Sequence, residues 1–264
     1  MSLSHFAPNP DYGSGIYRRL VRIAVRPHAT LASIDDTHHA MWVLLHHRGG
    51  LVAGVDGAIE RGPATSCGQA AAGLAAIEGM SIRASNSEIT ARLSPSENCT
   101  HLGDLLRWAF RHCERESVEY RIAVPDAGAE PIWMEVMRGE RIVHRWLVSG
   151  ETILAPEPVA GRPLLRGFHR WASGMFDADD LEAALMLQRG AWVARGRRYL
   201  VDRQIVPLRD AVGMENACFS YSGHNWATAT NTLHYVRDFT RGVVEHPLPP
   251  RVRKITGENS HEAA

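Results

Sequence analysis

Three short segments carry the side chains best suited to chemistry: His38-His39, Cys67, and Cys99-Thr100-His101 followed by Asp104. Thiolate sulfur and imidazole nitrogen are donors that zinc and iron prefer, and two cysteines with one or two histidines fill three or four positions of such a site. The candidate ligands are therefore His38, His39, Cys67, Cys99 and His101, around one Zn or Fe ion. His101 is also the candidate general acid/base, and Asp104, about one helical turn on, is placed to orient its imidazole. A metal held this way would polarise a carbonyl or activate water. A plainer reading stands beside it, because free cysteine is among the most buried residue types and a carboxylate near a helix start is favoured by the helix dipole alone. The spacing follows none of the short zinc-finger patterns. Neighbouring strand residues point to opposite faces, so only one of His38 and His39 faces an ion if their strand is regular.

The elements that must position these residues can be read from periodicity and turn chemistry. Alternating residues over 16–25 suit a strand, and 39–46 and 51–55 flank the turn Arg48-Gly49-Gly50 as a hairpin. Ser66 and Gln69 have capping-box spacing at the head of an alanine-rich helix over 67–77 that Gly79 closes. A short helix is expected near 88–93, and the apolar residues 102, 105, 106, 109 and 110 define one face of a longer one over 102–112. Cys67 and Cys99 thus fall at expected helix starts, where dipole and free amides lower a thiol pKa. Strands follow over 118–124, 131–137, 141–147 and 152–155, then helices over 166–176 and 178–193, the second capped by Asp177, and a late strand over 218–221 that makes Cys218 look structural. The class is α+β: an N-terminal antiparallel hairpin or sheet with packed helices, followed by a β-meander and two helices. The expected organisation is a flexible tail over 1–15, a Cys/His-bearing domain over 16–115, a meander-plus-helix unit over 116–240 packed on it, and a second flexible tail over 241–264.

Composition sets the outer limits. The chain has 264 residues, 45% hydrophobic and 22% charged, with a formal net charge of zero, which excludes disordered and collagen-like classes. Of its 29 basic side chains only Lys254 is a lysine, and 29 acidic ones balance them, so nothing pulls the chain toward nucleic acid or anionic lipid. No apolar run is long enough to span a membrane, and the N-terminus lacks the layout of a secretory signal, which makes a cytoplasmic location the expectation. Four cysteines are too few for a disulfide framework. P-loop, Gly-x-Gly-x-x-Gly, Gly-x-Ser-x-Gly and His-Glu-x-x-His motifs are all missing, which leaves no nucleotide-cofactor reading. Arg162 and Arg166, in a basic stretch with His169 and Arg170, are candidates for binding a substrate carboxylate or phosphate.

Two resemblances bear on the site. The segments Asp35-Asp36-Thr37-His38-His39, Thr65-Ser66-Cys67, Asn98-Cys99-Thr100-His101-Leu102-Gly103-Asp104, 155–162, 167–171 and Cys218-Phe-Ser-Tyr with Arg237-Asp238-Phe239 resemble domain of unknown function 2889, a family of uncharacterised bacterial proteins. That resemblance spans roughly 16–240 and implies no reaction. The order of hairpin, helix-start cysteine, helix and second helix-start cysteine is similar to iron–sulfur scaffold proteins of the NifU and IscU type, over about 38–113. It implies that Cys67 and Cys99 meet at one exposed metal site, with His38 or His39 where the scaffold has a cysteine. That missing cysteine, and Ser-Cys-Gly in place of Gly-Cys-Gly at Cys67, favour one metal ion over a cluster. The expected function is a metalloprotein with a mononuclear Cys/His site, an enzyme of small-molecule catabolism such as a hydrolase or carbon–carbon lyase. Its partner is a small-molecule substrate, without nucleic acid or membrane, and homo-oligomerisation is compatible with it. The alternatives are a noncatalytic metal or iron–sulfur carrier and a binding protein with purely structural cysteines.

Overall fold

The computed structural model describes residues 3, 5–211 and 213–257. Eight antiparallel strands form one sheet in the order β4-β3-β2-β1-β5-β6-β7-β8, made of β1 (Ile16–Arg26), β2 (Ala29–Asp36), β3 (Ala40–Arg48), β4 (Leu51–Arg61), β5 (Val118–Pro125), β6 (Ile132–Arg138), β7 (Arg141–Ser149) and β8 (Thr152–Ala155). The mixed α+β class holds, but the N-terminal part is a four-stranded meander, one strand richer than the periodicity indicates. The extra strand is β2. It is hidden in the sequence because nearly all its residues are buried, on both faces, so no polar–apolar alternation marks it. Pairing of β1 with β5, from Ile16 opposite Pro125 to Ile23 opposite Val118, joins the segments on either side of residue 115 into one sheet.

Each four-stranded meander is followed by helices that cover the same face of the sheet. Residues 67–77 are helical as expected but adopt the tighter 3-10 form, and Ser66 makes no capping hydrogen bond. Gly73 explains why the segment can lie where it does: a Cβ there would come within 2.5 Å of the Glu97 carbonyl and the Asn98 side chain. The 3-10 helix is thereby pressed against the loop that ends in Cys99. A capping box forms instead at Ser85 and Glu88, opening α1 (Asn86–Arg92). Then α2 (Thr100–His112) buries Leu102, Leu105, Leu106 and Ala109 against β2 and β3, while α3 (Phe168–Met175) leads to α4 (Ala178–Ala194), which packs on β5, β6 and β7. The Asp177 carboxylate accepts from the Asp179 and Asp180 amides at the start of α4, as the cap requires.

The terminal segments pack onto this frame. Phe6 is buried beside Val201 and Tyr235, and the amides of Leu200 and Asn9 tie residues 7–9 to 198–200. Val252 of α5 (Pro250–Thr256) packs with Leu31, Trp42 and Leu44 on the sheet face opposite α2. Residues 258–264 of the expected C-terminal tail lie outside the described residues. Residues 218–221, expected as a strand, form a short 3-10 turn (Phe219–Tyr221). Among the described residues no helix is long and apolar enough to cross a membrane.

A buried polar knot bolts the two helical layers together. Glu182 of α4 accepts from Tyr120 Oη at 2.6 Å and meets His112 Nε2 at 3.0 Å, while Arg111 Nε lies 2.9 Å from its second oxygen as an ion contact without hydrogen-bond geometry. Burial would raise the Glu182 carboxyl, but His112, Tyr120 and Arg111 together hold it below its usual value of 4.5. The knot's contribution is therefore complete above pH 4.5 and disappears as pH falls through the lower folded-state value. Glu182→Ala is expected to cost about 3 kcal/mol in urea unfolding at pH 7, by leaving His112 and Arg111 without their buried partner. The same variant should lose part of the wild type's acid sensitivity below pH 4.5.

Candidate functional site

The site grows from the carboxylate of Asp36, at the end of β2. Arg19 stands directly opposite it on β1, and Tyr17 two residues along β1 points to the same face. Asp36 Oδ2 therefore accepts from Tyr17 Oη at 2.8 Å and from Arg19 Nε at 2.9 Å, in an ion pair whose two side chains are both 0% exposed. Asp36 Oδ1 closes the β2–β3 turn by accepting the amides of His38 at 2.7 Å and His39 at 2.8 Å. The same oxygen lies 3.1 Å from His39 Nδ1. Burial would raise the Asp36 carboxyl, yet His39 and Arg19 hold it well below the usual carboxylate range. From the other side, the Arg61 guanidinium donates to the carbonyls of Asp36 and His39, each at 2.8 Å. Its neighbour Asp35 faces the opposite way, accepting the His246 amide at 3.1 Å, and burial pushes its carboxyl up to about 7.

This clamped turn forms part of the wall of a cavity of about 600 Å³. The start of α2, the start of the 3-10 helix, the last turns of α4 and the irregular segment 199–235 complete it. His38, His39, Cys67, Cys99 and His101 all line this one space. His38 and His39 both do so because they precede β3 in the turn, where strand alternation does not apply. The rings of His39 and His101 lie 4.4 Å apart, and His38 and His39 6.3 Å apart. His101 Nε2 and both ring nitrogens of His38 are sealed from solvent without a hydrogen-bond partner among the described residues. Burial, reinforced by the charges of His39, Arg19 and Arg189, keeps His101 well below its ordinary value, and burial takes His38 down to about 3. His38 reaches its place only because residue 196 is glycine, since a Cβ there would meet its Nε2 at 2.9 Å.

The thiols depart from expectation. Cys99 does cap α2, where the amides of Leu102 and His101 favour a thiolate, but burial outweighs them and pushes its thiol up to about 12. Burial raises Cys67 and Cys218 as well. Helix position lowers a thiol pKa only where water or a cation shares the work. Cys218 lines the cavity too, in contrast to the structural role expected from a strand. The Phe219 amide donates to the Asn98 carbonyl at 3.0 Å, and Ser220 Oγ donates to Cys67 Sγ at 3.5 Å, so the three cysteine-bearing segments adjoin. No local pattern could have announced a contact across more than a hundred residues of chain.

The remaining candidates sit elsewhere. Asp104 bridges Arg107 at 3.2 Å and Arg189 at 3.0 Å, and its partners are these guanidinium groups and not His101. Arg162 and Arg166 do not line the cavity, whose arginines are Arg189, Arg195 and Arg198. Among the described residues, no three His, Cys, Asp or Glu side chains come together as a set able to hold a metal ion. Native thiol labelling by iodoacetamide at pH 8 is expected to run at least about tenfold slower than in urea-unfolded protein, with Cys99 slowest, because the thiolate is the reactive form. Labelling of Cys99 at the unfolded rate would contradict the burial argument.

Residues 23–112, about a third of the chain, match the model of a family described as "Protein of unknown function (DUF2889)". That stretch holds Asp36, the three histidines, Cys67, Cys99 and Asp104, and leaves out Cys218, Tyr235 and the cavity arginines. No curated protein and no solved structure matches the chain, and nothing among the matches supports the similarity to iron–sulfur scaffolds. The match supports the family resemblance over residues 23–112, whereas the resembling segments at 155–162, 167–171, 218–221 and 237–239 lie outside it.

Proposed function

We propose that this protein is an enzyme that transforms a small organic molecule inside the cavity, with His39 and His101 as its acid–base pair and Asp36 as the carboxylate that orients His39. The observation that carries this reading is the close, tilted approach of the two imidazoles in the cavity wall, one fixed through Nδ1 by a buried carboxylate and the other with an unpartnered Nε2. A neutral imidazole that donates from Nδ1 presents its lone pair on Nε2, which is the arrangement a general base requires. A second imidazole held neutral beside it can take or return a proton without first losing one to solvent. The reactions this pair suits are hydrolysis and carbon–carbon lyase chemistry, in which a proton leaves one atom and another is delivered. The free cysteines agree with a reducing cytoplasm.

A transition-metal ion at the same place is the second reading. A carboxylate behind one imidazole nitrogen is the arrangement that commonly supports a metal-bound histidine, and the bare Nε2 of His101 is a second nitrogen donor. Cys67 or Cys99 would complete such a set only by giving up its proton to the ion, and the side chains would have to rearrange to do so.

Incubating the protein with a small-molecule cell extract and following it by mass spectrometry tests the first reading. Wild type should deplete at least one species. His39→Ala and His101→Ala should each slow that depletion about a hundredfold or more while the far-ultraviolet circular dichroism stays that of the folded protein. Identical profiles for wild type and the double variant would overturn the proposal. Wild-type turnover that survives chelation favours acid–base catalysis alone. Turnover lost on chelation, with one Zn or Fe per chain that the His39 variant no longer retains, favours the metal.

A further inference from the structure

We propose that the cavity takes a hydrophobic carboxylate, whose charged head pairs with Arg198 at the mouth. The inference rests on the reading above only in treating this cavity as the substrate site. The wall is mostly apolar, with Phe6, Met41, Trp192 and Val193 among its side chains, which suits a drug-sized organic molecule. Among the described residues no Asp or Glu lines it, whereas three arginines do. An amine would find no carboxylate counter-charge in such a wall.

The three arginines are not equivalent. Arg189 shares the Asp104 carboxylate with Arg107, at 3.0 and 3.2 Å, and Arg195 pairs with Glu151 at 3.0 Å. Arg198 makes no ion pair among the described residues. Its Nε donates to Tyr12 Oη at 3.1 Å, and its guanidinium lies 5.5 Å from the centre of the Tyr12 ring. Those contacts fix the plane of the guanidinium without cancelling its charge, and they leave the terminal nitrogens to donate to a pair of carboxylate oxygens. Arg198 is exposed and lines both this cavity and the smaller one that holds Tyr12, so a head group on its free terminal nitrogens would lie at the edge of the large cavity with the apolar body inside. One guanidinium without a carboxylate partner, at Arg198, suits a monoanion better than a phosphate dianion.

Calorimetric titration with 2-naphthoate and 4-phenylbutanoate, their primary amides and naphthyl phosphate tests this. The acids should bind at least about tenfold more tightly than the amides, the worth of one charge-assisted contact. In Arg198→Met that preference should vanish, with apolar binding retained, whereas Arg162→Met, outside the cavity, should keep it. Equal binding of acid and amide, an undiminished preference in Arg198→Met, tighter binding of naphthyl phosphate, or no binding by any member of the panel would each overturn the proposal. His39→Ala should still prefer acids. Acid preference without turnover in the extract assay would sink the enzyme reading alone, and turnover without acid preference would sink this inference alone.

Discussion

The arrangement of the site depends on the buried ion pair between Asp36 and Arg19. Two charges with no exposed side-chain surface need compensation, and Tyr17, two turn amides and His39 supply it to the Asp36 carboxylate, while the terminal nitrogens of Arg19 have only the ion contact with Asp36 and no hydrogen bond among the described residues. The antiparallel register that sets Arg19 opposite Asp36 thereby also sets the shape of the β2–β3 turn and the orientation of one imidazole. Removing either charge would leave the other buried alone, so the sheet and the site are energetically one object.

The cavity beside this pair leaves further polar groups unsatisfied. Unpartnered nitrogens on His38 and His101 cost free energy in the resting protein, and burial keeps the three thiols beside them in the neutral, protonated form. Such groups are tolerated where a ligand completes them. Low polarity in the wall also strengthens any charge interaction made there, which raises the worth of a proton moved between the two adjacent imidazoles.

How much of this was legible from sequence follows from the range of each interaction. Helix α2 announced itself through its apolar stripe and α4 through its Asp177 cap, both local signals, and the meander from β5 to β8 through its turns. Strand β2 left no such mark, because burial on both faces removes the alternation that marks a half-exposed strand. Convergence of His38, His39, Cys67, Cys99 and His101 was inferred from residue chemistry, and all five line the cavity. Their protonation was misjudged for the thiols because helix position can be read from sequence and burial cannot. Asp36, Cys218, Gly196 and Arg198 gain their roles only from contacts across the fold: a cross-strand register, a returning loop, a close approach and an absent counter-charge.

The account stands on His39 being held by Asp36 through Nδ1, with Nε2 turned to the cavity as a lone pair. Long-range proton–nitrogen correlation spectra of uniformly ¹⁵N-labelled protein, recorded at a pH where His39 is neutral and assigned with His39→Gln, measure that tautomer directly. The account predicts a proton on Nδ1 and the nitrogen shift of an unprotonated Nε2, lost in Asp36→Asn if that variant remains folded. A proton on Nε2 in the wild type would contradict it.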